Sequence, residues 1–418
     1  METVAFEQIL QRPIEEWSFA DLKAIADAQV PETVNLEFKA DFEAGAEEPW
    51  RKRGDKISPR SRDALAAEIV AFANAYGGVL LLGISEKRHD DGQHLSDGLA
   101  SKIPAIHKCA QSLNDALNGI IDPPIGMLSV KAIVENSGDE DGYLVIRVPP
   151  SNLAPHGVGK PARAYVRRGA SSDPMTMRDL QHVFWEARTE IDRIEKRFSK
   201  QREDFHRWST ETADRNQGKH QSSVFYRVTL VPDRHYGVTR LHEQIGKEGF
   251  GIARTPSLSD KAAALSFNSL DWRPAAGGAK VKEHPNENFG GEIQVFNDGT
   301  VNRIGFVNRT GPHLPVWYAG AAVELAYNAL RFRQTMGAVD IPMIAEFEYI
   351  AHRQVTFVPG ERYFAFTTDI TGTGSSQSTD RLEFGRSATF NDTASLFAAE
   401  IFAALGFSME LPVKVPDF

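Results

Sequence analysis

One cysteine, Cys109, stands in 418 residues. A lone thiol excludes a disulfide framework and any zinc site built from several thiolates. Long apolar runs are missing too. Residues 79–84, VLLLGI, are the longest such stretch and fall far short of the roughly 20 residues that a membrane-crossing helix needs. The N-terminal METVAFEQIL is acidic and has no apolar core, so no signal peptide is expected. Positive charge is in deficit: 47 Lys and Arg face 56 Asp and Glu, for a net charge of −9. That balance excludes a histone-like binder that works by bulk charge, while a local basic patch on an acidic body stays open. No internal repeat or low-complexity tract is present. A protein of the reducing cytoplasm, with no membrane partner, is the expectation. What the chain does have is ordinary for a globular protein: 41% hydrophobic, 25% charged and 10% aromatic residues. Its length suggests two or three domains.

The residue pattern predicts a mixed α/β protein. Residues 1–30 read as a helical entry, with Ser18 and Asp21 spaced as a capping box. In ETVNLEFK, Val34, Leu36 and Phe38 alternate with Asn35, Glu37 and Lys39, which predicts a strand with one apolar face. A polar loop then carries six basic residues, Arg51, Lys52, Arg53, Lys56, Arg60 and Arg62. A helix is expected from Asp63, with Leu65, Ile69, Phe72 and Tyr76 on one face and Gly77-Gly78 ending it. VLLLGI follows as a strand covered on both faces. Residues 103–120 read as a helix, and 128–135, 143–148 and 162–169 as strands. Residues 176–208 form a connecting helix whose stripe of Leu180, Phe184, Ala187, Ile191, Ile194 and Phe198 has near-heptad spacing. A polar linker at 209–222 leads to a second α/β domain over 220–418, with strands, helices at 315–336 and 392–405, and a loop at 370–380.

Chemistry concentrates in Glu32, Glu37, Lys39 and Glu86. Mg²⁺ or Mn²⁺ takes hard oxygen ligands, and a nuclease site of that kind brings carboxylates to one point beside a lysine. Glu37 and Lys39 share a strand face, and Glu86 lies just past the buried strand. The bland alternative is a solvated strand face, since E-x-K is common. Glu32 converges with Glu37 only from a turn before the strand, because five residues along a straight strand reverse the face.

These residues sit in a longer pattern. ETVNLEFK, then EIVAFANAYGGVLLLGISE, then AYVRRGASS resembles the Schlafen AlbA_2 domain over about residues 30–190. The resemblance implies an AlbA_2-like nucleic-acid core over 31–175. It also implies a metal-dependent endoribonuclease site for tRNA-like RNA, with Glu32, Glu37 and Glu86 as metal ligands, serving stress or phage defence. Glu86 stands where ribonucleolytic relatives carry aspartate. The zinc site of animal relatives cannot form with one cysteine. Those relatives clasp RNA between two lobes, and this chain has one copy of the motifs, so a homodimer is expected, with the 176–208 helix near its interface.

The basic loop, together with Tyr165, Arg167 and Arg168, is the candidate RNA surface. Tyr165 and Arg167 alternate onto one strand face, a pairing of ring and guanidinium that RNA contacts use. Other readings remain: a non-catalytic DNA- or RNA-binding regulator, or a nucleotide-sensing protein. Residues 74–78 lack the G-x-x-x-x-G-K-[ST] loop, so Asn74 reads as a hydrogen-bonder at a helix end. His156 reads as a turn histidine, and Trp317 and Tyr318 as core.

Overall fold

The computed structural model describes residues 12–41, 58–89, 93–215, 223–234, 272–282, 289–309, 311–336, 338–358, 368–370, 376–385 and 389–408, with positions 6, 9, 10, 241 and 413. The chain is a mixed α/β protein of two compact units, residues 1–191 and 192–418. Among the described residues no helix is long and apolar enough to cross a membrane. Arg51, Lys52, Arg53 and Lys56 lie outside them.

In the first unit, α1 (Phe19–Asp27) opens with the expected capping box: the Ser18 hydroxyl accepts from the Asp21 N–H, and the Asp21 carboxylate accepts from the Ser18 N–H at 2.8 Å. Strand β1 (Leu36–Lys39) follows, then α2 (Pro59–Ala73) and β2 (Gly78–Leu82). A hairpin of β3 (Ile84–Arg88) and β4 (His94–Leu99) precedes α3 (Ile106–Ile120). The rest of the unit is β5 (Ile121–Asp122), β6 (Ser129–Ile133), β7 (Tyr143–Val148), β8 (Gly157–Val158), β9 (Arg163–Arg168) and β10 (Ser171–Pro174). The main sheet runs β1-β2-β7-β6, with β1 and β2 parallel and the other pairs antiparallel. A second sheet runs β10-β9-β8-β5.

Period-two alternation divides the main sheet's side chains between two apolar layers. Leu36, Phe38, Val79 and Leu81 pack with Leu22 and Ile25 of α1. Leu80, Leu82, Leu144 and Ile146 pack with Leu65, Ile69 and Phe72 of α2 and with α3. Both faces are therefore covered, as the VLLLGI run requires. The face of β1 that carries Glu37 is covered as well, which corrects the solvated face drawn from its alternation.

Helix α2 starts four residues earlier than expected. Ser58 caps it by accepting from the Ser61 N–H, and Pro59 fits the first turn, so Arg60 and Arg62 belong to the helix rather than to the loop. It ends at Ala73, which leaves Tyr76 beyond it, 75% exposed instead of in the core. The glycine pair is a close-packing requirement. A Cβ on Gly77, at φ +71°, would meet Pro150 Cδ at 2.6 Å, and one on Gly78 would meet the Phe72 ring at 2.5 Å. Asn74 ties this corner down. Its amide donates to the carbonyls of His156 at 3.0 Å and Tyr165 at 2.8 Å, and its oxygen accepts from the His156 N–H at 2.7 Å. The His156 ring is buried, with Nδ1 2.6 Å from the Pro123 carbonyl oxygen.

Helix α4 (Met177–Arg215) is longer than expected, absorbing the first seven residues of the anticipated linker. Its stripe is only partly a core stripe. Ala187, Ile194 and Phe198 are buried, while Phe184 and Ile191 are exposed.

The second unit is built on β11 (Ser223–Pro232), β12 (Arg273–Ala275), β13 (Gly278–Lys282), β14 (Phe289–Phe296) and β15 (Val301–Asn308), then α5 (Pro315–Thr335), β16 (Met343–Ala351), β17 (Val355–Phe357), β18 (Thr368–Ile370), β19 (Ser376–Ser378), β20 (Leu382–Phe384) and α6 (Phe390–Ala404). Strands β18 and β19 occupy part of the segment expected to be loop. The large sheet runs β12-β13-β14-β15-β11-β16-β19, with β20 also paired to β16. Helices α5 and α6 pack on one face, with Tyr318 fully buried and Trp317 packed against that core. The α4 residues of this unit, Phe205 and Trp208, meet Phe225 and Phe306 on the other face. Beneath them Arg227 is buried between Glu346 and Glu348, donating through Nε to Glu348 at 2.9 Å.

Candidate metal and nucleic-acid site

Glu32 lies ahead of β1, on the segment that folds back through the Thr33–Leu36 turn, where the Thr33 N–H donates to the Leu36 carbonyl at 3.0 Å. It meets the condition that its spacing from Glu37 imposed. Its Oε1 accepts from the Phe38 N–H at 3.0 Å. Its own N–H donates to the His94 carbonyl at 2.9 Å, and Pro31 bridges Leu95, so the segment is pinned to β4. Glu86 lies on β3, opposite Ser96 and next to a register shift after Ile84. Ligand atoms of Glu32, Glu86 and His94 all lie within 4.8 Å of one another, with His94 Nδ1 3.3 Å from Glu86 Oε2. Two carboxylates and an imidazole at this spacing are a donor set that divalent cations accept.

Glu37 is bound up differently. It is only 3% exposed. Its Oε2 accepts from Arg167 Nη2, and its Oε1 is 2.6 Å from Lys39 Nζ. Arg167, from β9, is 4% exposed and makes a dense set of contacts. Through Nη1 it reaches Glu68 at 3.1 Å and the Ser172 hydroxyl at 3.2 Å, and through Nη2 the Thr33 carbonyl at 3.3 Å. Its guanidinium lies over the Phe72 ring at 4.7 Å. The Ser172 hydroxyl in turn donates to Glu68. This corrects the expectation that Arg167 belongs to an open RNA surface: strand alternation put its side chain on the face that α2 covers. Tyr165 is half-buried against the same core. Arg168 is half-exposed and paired with Asp179 at 2.7 Å. Arg60 is exposed, and Arg62 pairs with Asp63 at 2.6 Å.

Negative charge is in excess here. Burial pushes the Glu32 carboxyl up to about 7; the Phe38 N–H pulls it back, and the charges of Glu37 and Glu86 push it further up. Burial also raises Glu68, against the Ser172 hydrogen bond. Beside the network an open pocket of about 270 Å³, counting the solvent at its mouth, is lined by Lys39, Asp41, Ser61 and Glu68 over Leu65 and Leu82.

The sequence pointed to Glu32, Glu37, Lys39 and Glu86, and the structure gathers all four around the end of β1. His94, Glu68 and Ser172 went unread. A hairpin signal for His94 was present in Asp91-Gly92 between two short runs. Glu68 and Ser172 gave no local sign, because their roles depend on β9 and β10 folding over α2.

A comparison with family models matches residues 32–176 to Schlafen, AlbA_2. These residues are a Schlafen AlbA_2 domain. That family ties the chain to nucleic-acid function. Among solved structures, the domain resembles the N-terminal domain of a putative ATP-dependent DNA helicase RecG-related protein from Nitrosomonas europaea, at 20% identity and a TM-score of 0.21, covering 34% of this chain and 82% of that one. A comparison with curated proteins returns no match. The AlbA_2 domain holds every residue of the candidate site, from Glu32 to Ser172.

Proposed function

We propose that the protein is a metal-dependent endoribonuclease acting on tRNA or similarly folded RNA in the cytoplasm, in stress or phage defence. One observation carries the reading: the carboxylates of Glu32 and Glu86 converge beside Lys39, with Glu37 a neighbour, at the edge of an AlbA_2 sheet. A module that only binds RNA gains nothing from half-buried carboxylates next to phosphate, since repulsion costs affinity unless a cation lies between. Glu32 and Glu86 would hold Mg²⁺ or Mn²⁺, which when bound neutralises phosphate charge and acidifies water. Glu37 orients Lys39, whose ammonium would hold a non-bridging phosphate oxygen. Arg167 fixes Glu37 and takes no part in substrate contact. Arg51, Lys52, Arg53, Lys56, Arg60 and Arg168 would keep the polyanion close to the acidic centre.

The assembly proposed is a homodimer, supported by the exposed Met177, Phe184, Trp185 and Ile191 on α4. Light scattering at micromolar concentration is its test, and a monomer mass with and without RNA would sink it. The test of the activity is incubation of the full chain with total tRNA and Mn²⁺ or Mg²⁺, with and without chelator. Chelator-sensitive fragments are the expected result. Intact tRNA with both metals would return the protein to the class of binding modules.

A further inference from the structure

We propose that His94 is the third protein ligand of the cation site, with Glu32 and Glu86, that Glu37 stays outside the coordination shell, and that the site therefore selects a first-row transition cation such as Mn²⁺ over Mg²⁺. The inference rests on the metal-site reading above and fixes its ligands and its cation class.

Three observations support it. The ligand atoms of Glu32, Glu86 and His94 already lie within 4.8 Å of one another, a spacing one ion can bridge. Their backbones are locked together: Glu32 donates to the His94 carbonyl, Pro31 bridges Leu95, and Glu86 pairs with Ser96 on the same hairpin. Little rearrangement is needed to bring the three side chains onto one ion. Glu37, by contrast, has both oxygens engaged, one with Lys39 and one with Arg167. Turning it towards a cation would strip a carboxylate from a guanidinium that is fully buried.

The donor set then decides the metal. Mg²⁺ is bound by oxygen and keeps most of its waters, so an imidazole adds little for it. Imidazole nitrogen favours the later first-row cations, and a mixed carboxylate–imidazole set shifts the balance towards them. A site built from Glu32, Glu37 and Glu86 alone would carry no such bias.

Mn²⁺ binding by the full chain, followed by loss of the free-ion electron paramagnetic resonance signal, tests this without reference to cleavage. Mg²⁺ binding is measured in parallel by calorimetry. The wild type is expected to bind Mn²⁺ more tightly than Mg²⁺. His94→Ala should weaken Mn²⁺ roughly tenfold or more and leave Mg²⁺ within about twofold, erasing the preference. Glu37→Gln should leave Mn²⁺ affinity within about twofold. A second readout uses the wild type alone: Mn²⁺ should broaden the imidazole ¹⁵N signals of His94 at substoichiometric ratios. Unchanged Mn²⁺ affinity in His94→Ala, equal wild-type affinity for both metals, or unbroadened His94 signals would each overturn the proposal. Chelator-sensitive RNA cleavage with unaltered binding in His94→Ala would reject the ligand assignment and keep the nuclease. His94-dependent Mn²⁺ binding with no cleavage would do the reverse.

Discussion

Each unit buries an arginine between glutamates, and the two networks end in opposite electrostatic states. In the second unit Arg227 sits between Glu346 and Glu348, and two further arginines and an imidazole close on the pair. Arg202 and Arg381 reach Glu346 at 2.9 and 3.0 Å, and His206 lies 2.7 Å from Glu348. Burial alone would raise the Glu346 carboxyl, but Arg227 and its neighbours reverse the effect and hold it below its ordinary value. In the first unit, Arg167 and Lys39 face Glu37, Glu68, Glu32 and Glu86, and the Glu32 and Glu68 carboxyls are pushed up. Matched charge fixes a scaffold. Unmatched negative charge leaves room for a cation from outside, as the proposed function requires. Strongly perturbed carboxyls in a cleft are where function is sought first, and only one of the two networks has them.

Breaking the matched network should cost most. Arg227→Leu leaves Glu346 and Glu348 buried without their shared partner and should destabilise the fold by about 3–5 kcal/mol, read by denaturant unfolding. Cation binding per folded molecule should be unchanged. A loss under about 1 kcal/mol would show that the surrounding cations suffice and that the two networks are less different than drawn.

Glu37→Ala comes next. Arg167 keeps Glu68 and Ser172 but loses its carboxylate partner, so the expected cost is roughly 1–3 kcal/mol. RNA cleavage should also fall, because Lys39 loses the carboxylate that orients it. Stability equal to wild type would mean that Glu37 lies on an open face after all.

The third prediction is a titration. The ordinary value for Glu32 is 4.5 and its folded value about 7, so the folded state holds a proton that the unfolded state has released. The stability this group contributes is fully present below 4.5 and is lost as pH rises through about 7. Without divalent cations, Tm should decline across that window in the wild type and decline less in Glu32→Gln. Glu86→Gln should lower the Glu32 value, seen by carboxyl ¹³C shifts, because it removes one of the charges that raise it. An unmoved value would leave burial and the charge of Glu37 as the causes.

The smallest effect expected on the fold is from replacing Arg51, Lys52 and Arg53 together. RNA binding should weaken and its salt dependence flatten, since fewer counterions are released, with thermal unfolding unchanged. Unchanged affinity and slope would make that loop a bystander.

Much of this was legible in sequence because it is local. The Ser18 cap and the buried β2 run rest on neighbours in sequence, while the Gly77-Gly78 corner and Asn74 showed through their residue types alone, since the groups they meet lie far along the chain. What sequence misplaced depends on the layer above. Alternation put Glu37 and Arg167 on the polar faces of their strands, and period two cannot tell whether a polar face meets water or another element. Here α2 and β9 meet over β1, and the two polar faces close on each other. Tyr76 failed for a similar reason: helical spacing carried it into the stripe, but the helix ends at Ala73 before the turn that would bury it. His94 depended on pairing β3 with β4, which brings residue 94 back beside residue 86.

The reach of Asn74 and Glu37 across the chain sets an order of assembly. Asn74 bonds to residues 82 and 91 positions ahead, and Glu37 meets an arginine 130 positions ahead. A chain growing from its N-terminus therefore makes β1, α2 and β2 long before it makes their closing strand. Until residue 167 is present, Glu37 and Glu68 lack the guanidinium that allows them to be buried. The corner around Glu37 is thus completed by the last hairpin of the AlbA_2 domain, and the domain carries an unfinished site through most of its own synthesis.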